Sequence, residues 1–123
     1  MVQKIWSAML ALCVIGSLAA PAAAHPTLKS ATPPIEGVAP SAPTEIRLSF
    51  SEGLIVKFCS VELKDQAGRP ITTGKVSTDP KDQKQLVIPL QDPLPAGSYT
   101  VKWNVVSVDT HRVNGTYTFK VAP

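Results

Sequence analysis

The chain has 123 residues, of which 44% are hydrophobic and 17% charged, with twelve Pro, seven Gly and two Cys. This length holds one small domain, and the composition excludes a collagen-like chain, a disulfide-dense scaffold and a wholly disordered one. The formal charge of +3 is spread over single Lys and Arg residues, without the patch that a nucleic-acid binder concentrates.

The start of the chain is unlike the rest. Residues 5–20 (IWSAMLALCVIGSLAA) carry no charge, follow Lys4 and lead into Pro21-Ala22-Ala23-Ala24. A basic start, an apolar middle and a small-residue end form the layout of a cleaved secretory signal peptide. The apolar stretch is shorter than the ~20 residues that span a bilayer, so no membrane insertion is expected once the leader is removed. Residues 1–24 are therefore read as the leader and residues 25–123 as the mature domain. The mature segment keeps 11 of the 12 Lys and Arg and all nine Asp and Glu, for a net +2, together with both His and no Met. Cys13 leaves with the leader. Cys59 then stands alone in the apolar run Leu54–Val61 and is expected to be buried as a small hydrophobe.

Beyond His25 no helical periodicity appears, and eleven Pro interrupt the segment. Alternation of apolar and polar residues predicts strands over Thr44–Phe50, Ser98–Val105 and Thr116–Val121. Shorter candidates are Thr27–Ser30, Val56–Leu63 and Gln85–Pro89, with a weaker one near Lys75–Thr78. Turn clusters separate them at Thr32-Pro33-Pro34, Ala67–Pro70, Asp79–Asp82 and Asp92–Gly97. The fold class is all-β, a small Greek-key sandwich or barrel of about seven strands. Trp103 is the expected large core residue.

Enzymatic motifs are scarce. The chain has no phosphate-binding glycine loop, no cysteine cluster of zinc spacing and no Gly-x-Ser-x-Gly elbow. A Cys59–histidine nucleophilic pair stays open at this level. The two histidines are more informative. Cleavage after Ala24 would make His25 the first residue, offering an α-amine and an imidazole nitrogen to one metal ion. Pro26 has no backbone N–H, so the next amide cannot add itself as a ligand. His111 lies two residues after Asp109, a spacing that puts both side chains on one face of an extended segment. Together these residues offer three nitrogens and one oxygen, which suit a tetragonal Cu(II) ion; Zn(II) would accept the same donors. Cu(I) prefers sulfur, and the mature segment has only Cys59. Cleavage after Ala22 would instead leave Ala23-Ala24-His25, a terminus that binds Cu(II) through amine, two amides and imidazole without Asp109 or His111.

From His25 to Val121 the segment resembles the CopC family of periplasmic copper-binding proteins. The residues carrying the resemblance are His25, Leu28–Pro33, Leu48–Gly53, Pro95–Tyr99, Trp103–His111 and Asn114–Phe119. The resemblance implies an Ig-like or cupredoxin-like Greek-key fold and a Cu(II) site formed by His25, Asp109 and His111, with Glu52 supporting the site through a hydrogen bond. It also implies a periplasmic monomer that acts with an inner-membrane copper transporter of the CopD type. Some members hold Cu(I) in a Met-rich segment; this chain lacks the methionines and resembles the Cu(II)-only branch.

The leading expectation is a non-enzymatic carrier or buffer of Cu(II) serving copper homeostasis or resistance. A copper-dependent oxidase of the lytic polysaccharide monooxygenase kind uses a similar N-terminal histidine, but Asp109 would fill a position that oxygen chemistry needs open. The remaining alternative is a β-sandwich interaction module whose histidines are incidental.

Overall fold

A computed structural model describes residues 25–123; the leader read over residues 1–24 lies outside the described residues. Among the described residues nine strands are present: β1 (Leu28–Thr32), β2 (Val38–Ala39), β3 (Glu45–Phe50), β4 (Ser60–Asp65), β5 (Pro70–Ile71), β6 (Ser77–Asp79), β7 (Asp82–Pro89), β8 (Gly97–Val106) and β9 (Arg112–Val121). They form two sheets, of order β1-β3-β7-β6 and β2-β9-β8-β4-β5. All pairings are antiparallel except the short β2–β9 contact. The predicted all-β sandwich is therefore the observed one. The expected count of about seven corresponds to the strands of three residues or more, and the extra two, β2 and β5, are only two residues long.

Alternation explains the layering, because successive strand side chains point to opposite faces. Ile46, Leu48 and Phe50 of β3 are buried, as are Leu86 and Ile88 of β7. Facing them from the second sheet are Leu63, Val101, Trp103, Val105, Tyr117 and Phe119. The Trp103 indole meets Phe50 edge to face, with ring centroids 5.2 Å apart. It also packs against Gly115, its cross-strand partner, where an added Cβ would clash with the Cζ2 and Cε2 atoms of the ring. That close approach is why β9 carries a glycine in mid-strand.

One predicted strand starts later than its sequence suggests. The run Val56–Leu63 opens as a short 3-10 turn over Val56–Phe58, and β4 begins only at Ser60. The Phe58 and Cys59 amides donate back to the carbonyls of Ile55 and Val56, each at 3.0 Å. Cys59 is half-buried against the core, short of the full burial expected.

Three segments meet at one end of the sandwich. The backbone of Thr27 is clamped to the end of β3: Ser51 N–H donates to the Thr27 carbonyl and Thr27 N–H to Ser51 Oγ, both at 2.9 Å. Pro26 is wholly buried and anchors the segment. The next residues after β3 then reach the β8–β9 hairpin, where Leu54 bridges Ser107 and Val108 N–H donates to the Gly53 carbonyl at 2.8 Å. His25 and the hairpin loop are held at the same end by this chain of contacts.

Candidate metal centre

The loop joining β8 to β9 sets the geometry of Asp109 and His111. Thr110 N–H donates to the Ser107 carbonyl at 2.8 Å, closing a β-turn, and Ser107 N–H donates to the His111 carbonyl at 2.9 Å. Thr110 has φ of 70°, the left-handed conformation that lets the chain re-enter β9 after the turn. Asp109 and His111 are thus on a tight turn and not on the extended segment that their spacing suggests. That corrects the geometric basis for pairing them.

The turn nevertheless brings them together. His111 Nδ1 lies 3.1 Å from Asp109 Oδ2. Nδ1 is shielded from solvent and, beyond this close carboxylate, has no other polar partner among the described residues. Two ligands at right angles, each about 2.0 Å from one ion, stand roughly 2.8 Å apart. The Nδ1–Oδ2 spacing is close to that. The His25 ring stands against His111, with centroids 5.0 Å apart and planes at 81°.

Asp109 is held in its charged form. The Ser107 hydroxyl, donating to Oδ1, is the main cause of a carboxyl lying below its ordinary range, with the neighbouring His111 adding to the effect. Ser107 itself is fully buried and also accepts the His111 amide at 3.2 Å. Sequence reasoning assigns Ser107 no role. A serine two residues before an aspartate at a hairpin tip is the available signal, because such hydroxyls close local side-chain turns.

His25 is exposed, and its carbonyl accepts from Thr27 Oγ1 at 3.3 Å and Ser51 Oγ at 3.5 Å. Among the described residues no group of three His, Cys, Asp or Glu side chains is arranged to hold a metal ion. A paired Asp109 and His111 with His25 beside them is what the fold forms. In the chain of residues 1–123 the His25 nitrogen belongs to the peptide bond from Ala24, so the amine of the expected chelate would exist only if that bond were cut.

Glu52 is half-buried in the segment between Thr27 and Val108, and forms no ion pair among the described residues. Cys59 is separate from this chemistry. Its thiol faces the carbonyls of Ile55 at 3.3 Å and Val106 at 3.9 Å, and burial pushes its pKa up. No Cys–His pair forms among the described residues.

The CopC domain family matches residues 28–122. Copper resistance protein C of Escherichia coli is 42% identical over 106 residues, covering 81% of this chain and 83% of that protein. Protein YobA of Escherichia coli K12 is 41% identical over 98 residues, covering 80% and 79% respectively. The crystal structure of PcoC, a methionine-rich copper resistance protein from Escherichia coli, matches with a TM-score of 0.71 at 41% identity, over 80% of this chain and 99% of that one.

Proposed function

This chain belongs to the CopC family, and on that premise we propose that it is an exported Cu(II) carrier or buffer serving copper resistance or homeostasis. Copper is its cargo. The observation that carries the reading is the Asp109–His111 pair, 3.1 Å apart, with the His25 ring against it. Leader cleavage after Ala24 would free the His25 α-amine, and amine, two imidazoles and the Asp109 carboxylate would then complete the site.

The donor set favours the oxidised ion. Residues 25–123 contain no Met, in contrast to methionine-rich PcoC. The one thiol, Cys59, is kept in its neutral form by burial, whereas a metal-binding thiol must be deprotonated. Nitrogen and oxygen ligands at right angles suit Cu(II). We assign Glu52 a supporting part, accepting a hydrogen bond from the metal-bound amine or from water, as outer carboxylates do at metal sites.

The protein would act in the periplasm as a monomer, exchanging copper with an inner-membrane transporter of the CopD type. No catalysis is assigned: with Asp109 as a ligand, the ion keeps fewer open positions for oxygen. Competition titration of residues 25–123 should show one tight Cu(II) site, weakened at least tenfold in His111→Ala. Equal affinity in the two proteins would overturn the reading. Intact mass of the exported protein should give His25 as its first residue, and a product beginning at Ala23 would assign copper to a different terminus. Ascorbate-driven peroxide formation at enzymatic rates would restore the oxidase alternative.

A further inference from the structure

Ser107 is the one small polar residue wholly buried among the described residues. Burying a hydroxyl costs free energy unless its hydrogen bonds are satisfied, and alanine would fill nearly the same space without that cost. The hydrogen bonds of Ser107 are all spent within the loop. Its hydroxyl donates to Asp109 Oδ1, and its oxygen accepts the His111 amide at 3.2 Å. Its own amide holds the His111 carbonyl at 2.9 Å, and its carbonyl takes the Thr110 amide at 2.8 Å.

The consequence is an asymmetric carboxylate. Oδ1 is engaged by the serine, and Oδ2 is the oxygen at 3.1 Å from His111 Nδ1. Without the hydroxyl, the Asp109 side chain could rotate to exchange its oxygens, offer both to an ion, or swing out to solvent, since it is 44% exposed. We propose that Ser107 is a positioning residue for the copper site, selecting Oδ2 of Asp109 as the single ligating oxygen and fixing its distance to His111 by holding the His111 backbone. The inference rests on the copper-site reading above and adds to it the residue that orients one of its ligands.

A double-mutant cycle tests it. Cu(II) affinity is measured by competition in wild type, Ser107→Ala, Asp109→Ala and the double variant, all as residues 25–123. Loss of an outer residue at a metal site typically costs about 10–100-fold in affinity. Ser107→Ala should lose that much when Asp109 is present and at least threefold less when it is absent, because then only its hold on the His111 backbone remains. Its Cu(II) EPR spectrum should also change as the carboxylate binding mode changes. Equal losses in both backgrounds, or no loss in either, would overturn the proposal.

A second arm needs no copper. In metal-free Ser107→Ala the His111 amide should exchange with solvent faster, while the amides of β8 and β9 keep their protection. Unchanged His111 exchange would overturn the proposal. A wild-type protein without a tight copper site would instead sink the copper reading, and this exchange measurement would still decide whether Ser107 organises the loop.

Discussion

Thr110 sits where the site stores backbone strain. Its φ of 70° is left-handed, a region that costs a non-glycine residue roughly 1–2 kcal/mol and is rarer still for a β-branched one. Thr110 is exposed, so its side chain contributes no core packing to offset the strain. Thr110→Gly should therefore stabilise the metal-free protein, by about 0.5–1 kcal/mol after the extra chain entropy of glycine is subtracted. Thermal unfolding checks this, and a lower Tm in the variant would contradict the account of the loop. The pairing of Asp109 with His111 is legible in their spacing, but for the wrong geometric reason. A two-residue offset looks the same on a strand and across a tight turn, and only the hydrogen bonds of Ser107 and Thr110 distinguish them. Ser107 is not legible in the same way, because its role depends on burial, which the local residue pattern does not report.

Between elements, the contact most exposed to test is that of β8 with β9. The Trp103 ring fills the space over Gly115, and Phe50 closes it from the opposite sheet. Gly115→Ala should displace the indole and cost about 1–3 kcal/mol, the usual range for an overpacked core. Trp103 is the sole tryptophan of residues 25–123, so its fluorescence reports the displacement directly; an unchanged spectrum and Tm would contradict the packing.

The four-stranded sheet carries a polar device on β3. Arg47 binds Glu45 at 2.7 Å and Asp79 at 2.8 Å, linking β3 to β6. The Arg47 guanidinium, with the Lys81 amide behind it, holds the Asp79 carboxyl below its ordinary range. A carboxyl with a lowered folded-state pKa contributes stability that is complete above its unfolded value, about pH 4, and is lost as pH falls through the folded value. Asp79→Asn should accordingly be less stable than wild type at pH 7, with the gap closing toward pH 2. A gap that persists undiminished in acid would contradict this.

Alternation alone makes β3, β8 and β9 legible in the residue pattern. It fails over Val56–Phe58, where an apolar–charged–apolar pattern imitates a strand but backbone hydrogen bonds close a 3-10 turn. It also passes over β2 and β5, because two residues are too few to show a period.

For the molecule as a whole, the core belongs to the sandwich and not to the metal. Metal-free protein should keep its β-sheet circular dichroism and unfold cooperatively, and Cu(II) should raise its Tm by mass action. An unfolded metal-free state would contradict a core built from Ile46, Leu48, Leu86, Ile88, Val101 and Phe119. The proposed copper site stands differently, since its fourth donor would require the chain to be cut directly before His25. In the proposed site the α-amine of His25 acts with Asp109 and His111. Its most direct test is a Cu(II) competition titration of residues 25–123 with the N-terminus free and with it acetylated. Acetylation removes the amine and leaves every side chain in place, and Pro26 supplies no amide to substitute for it. The free terminus should give a single tight site, and acetylation should weaken it at least ~100-fold, beyond the usual loss for removing an outer partner of a metal ligand. Equal affinities in the two forms would contradict it.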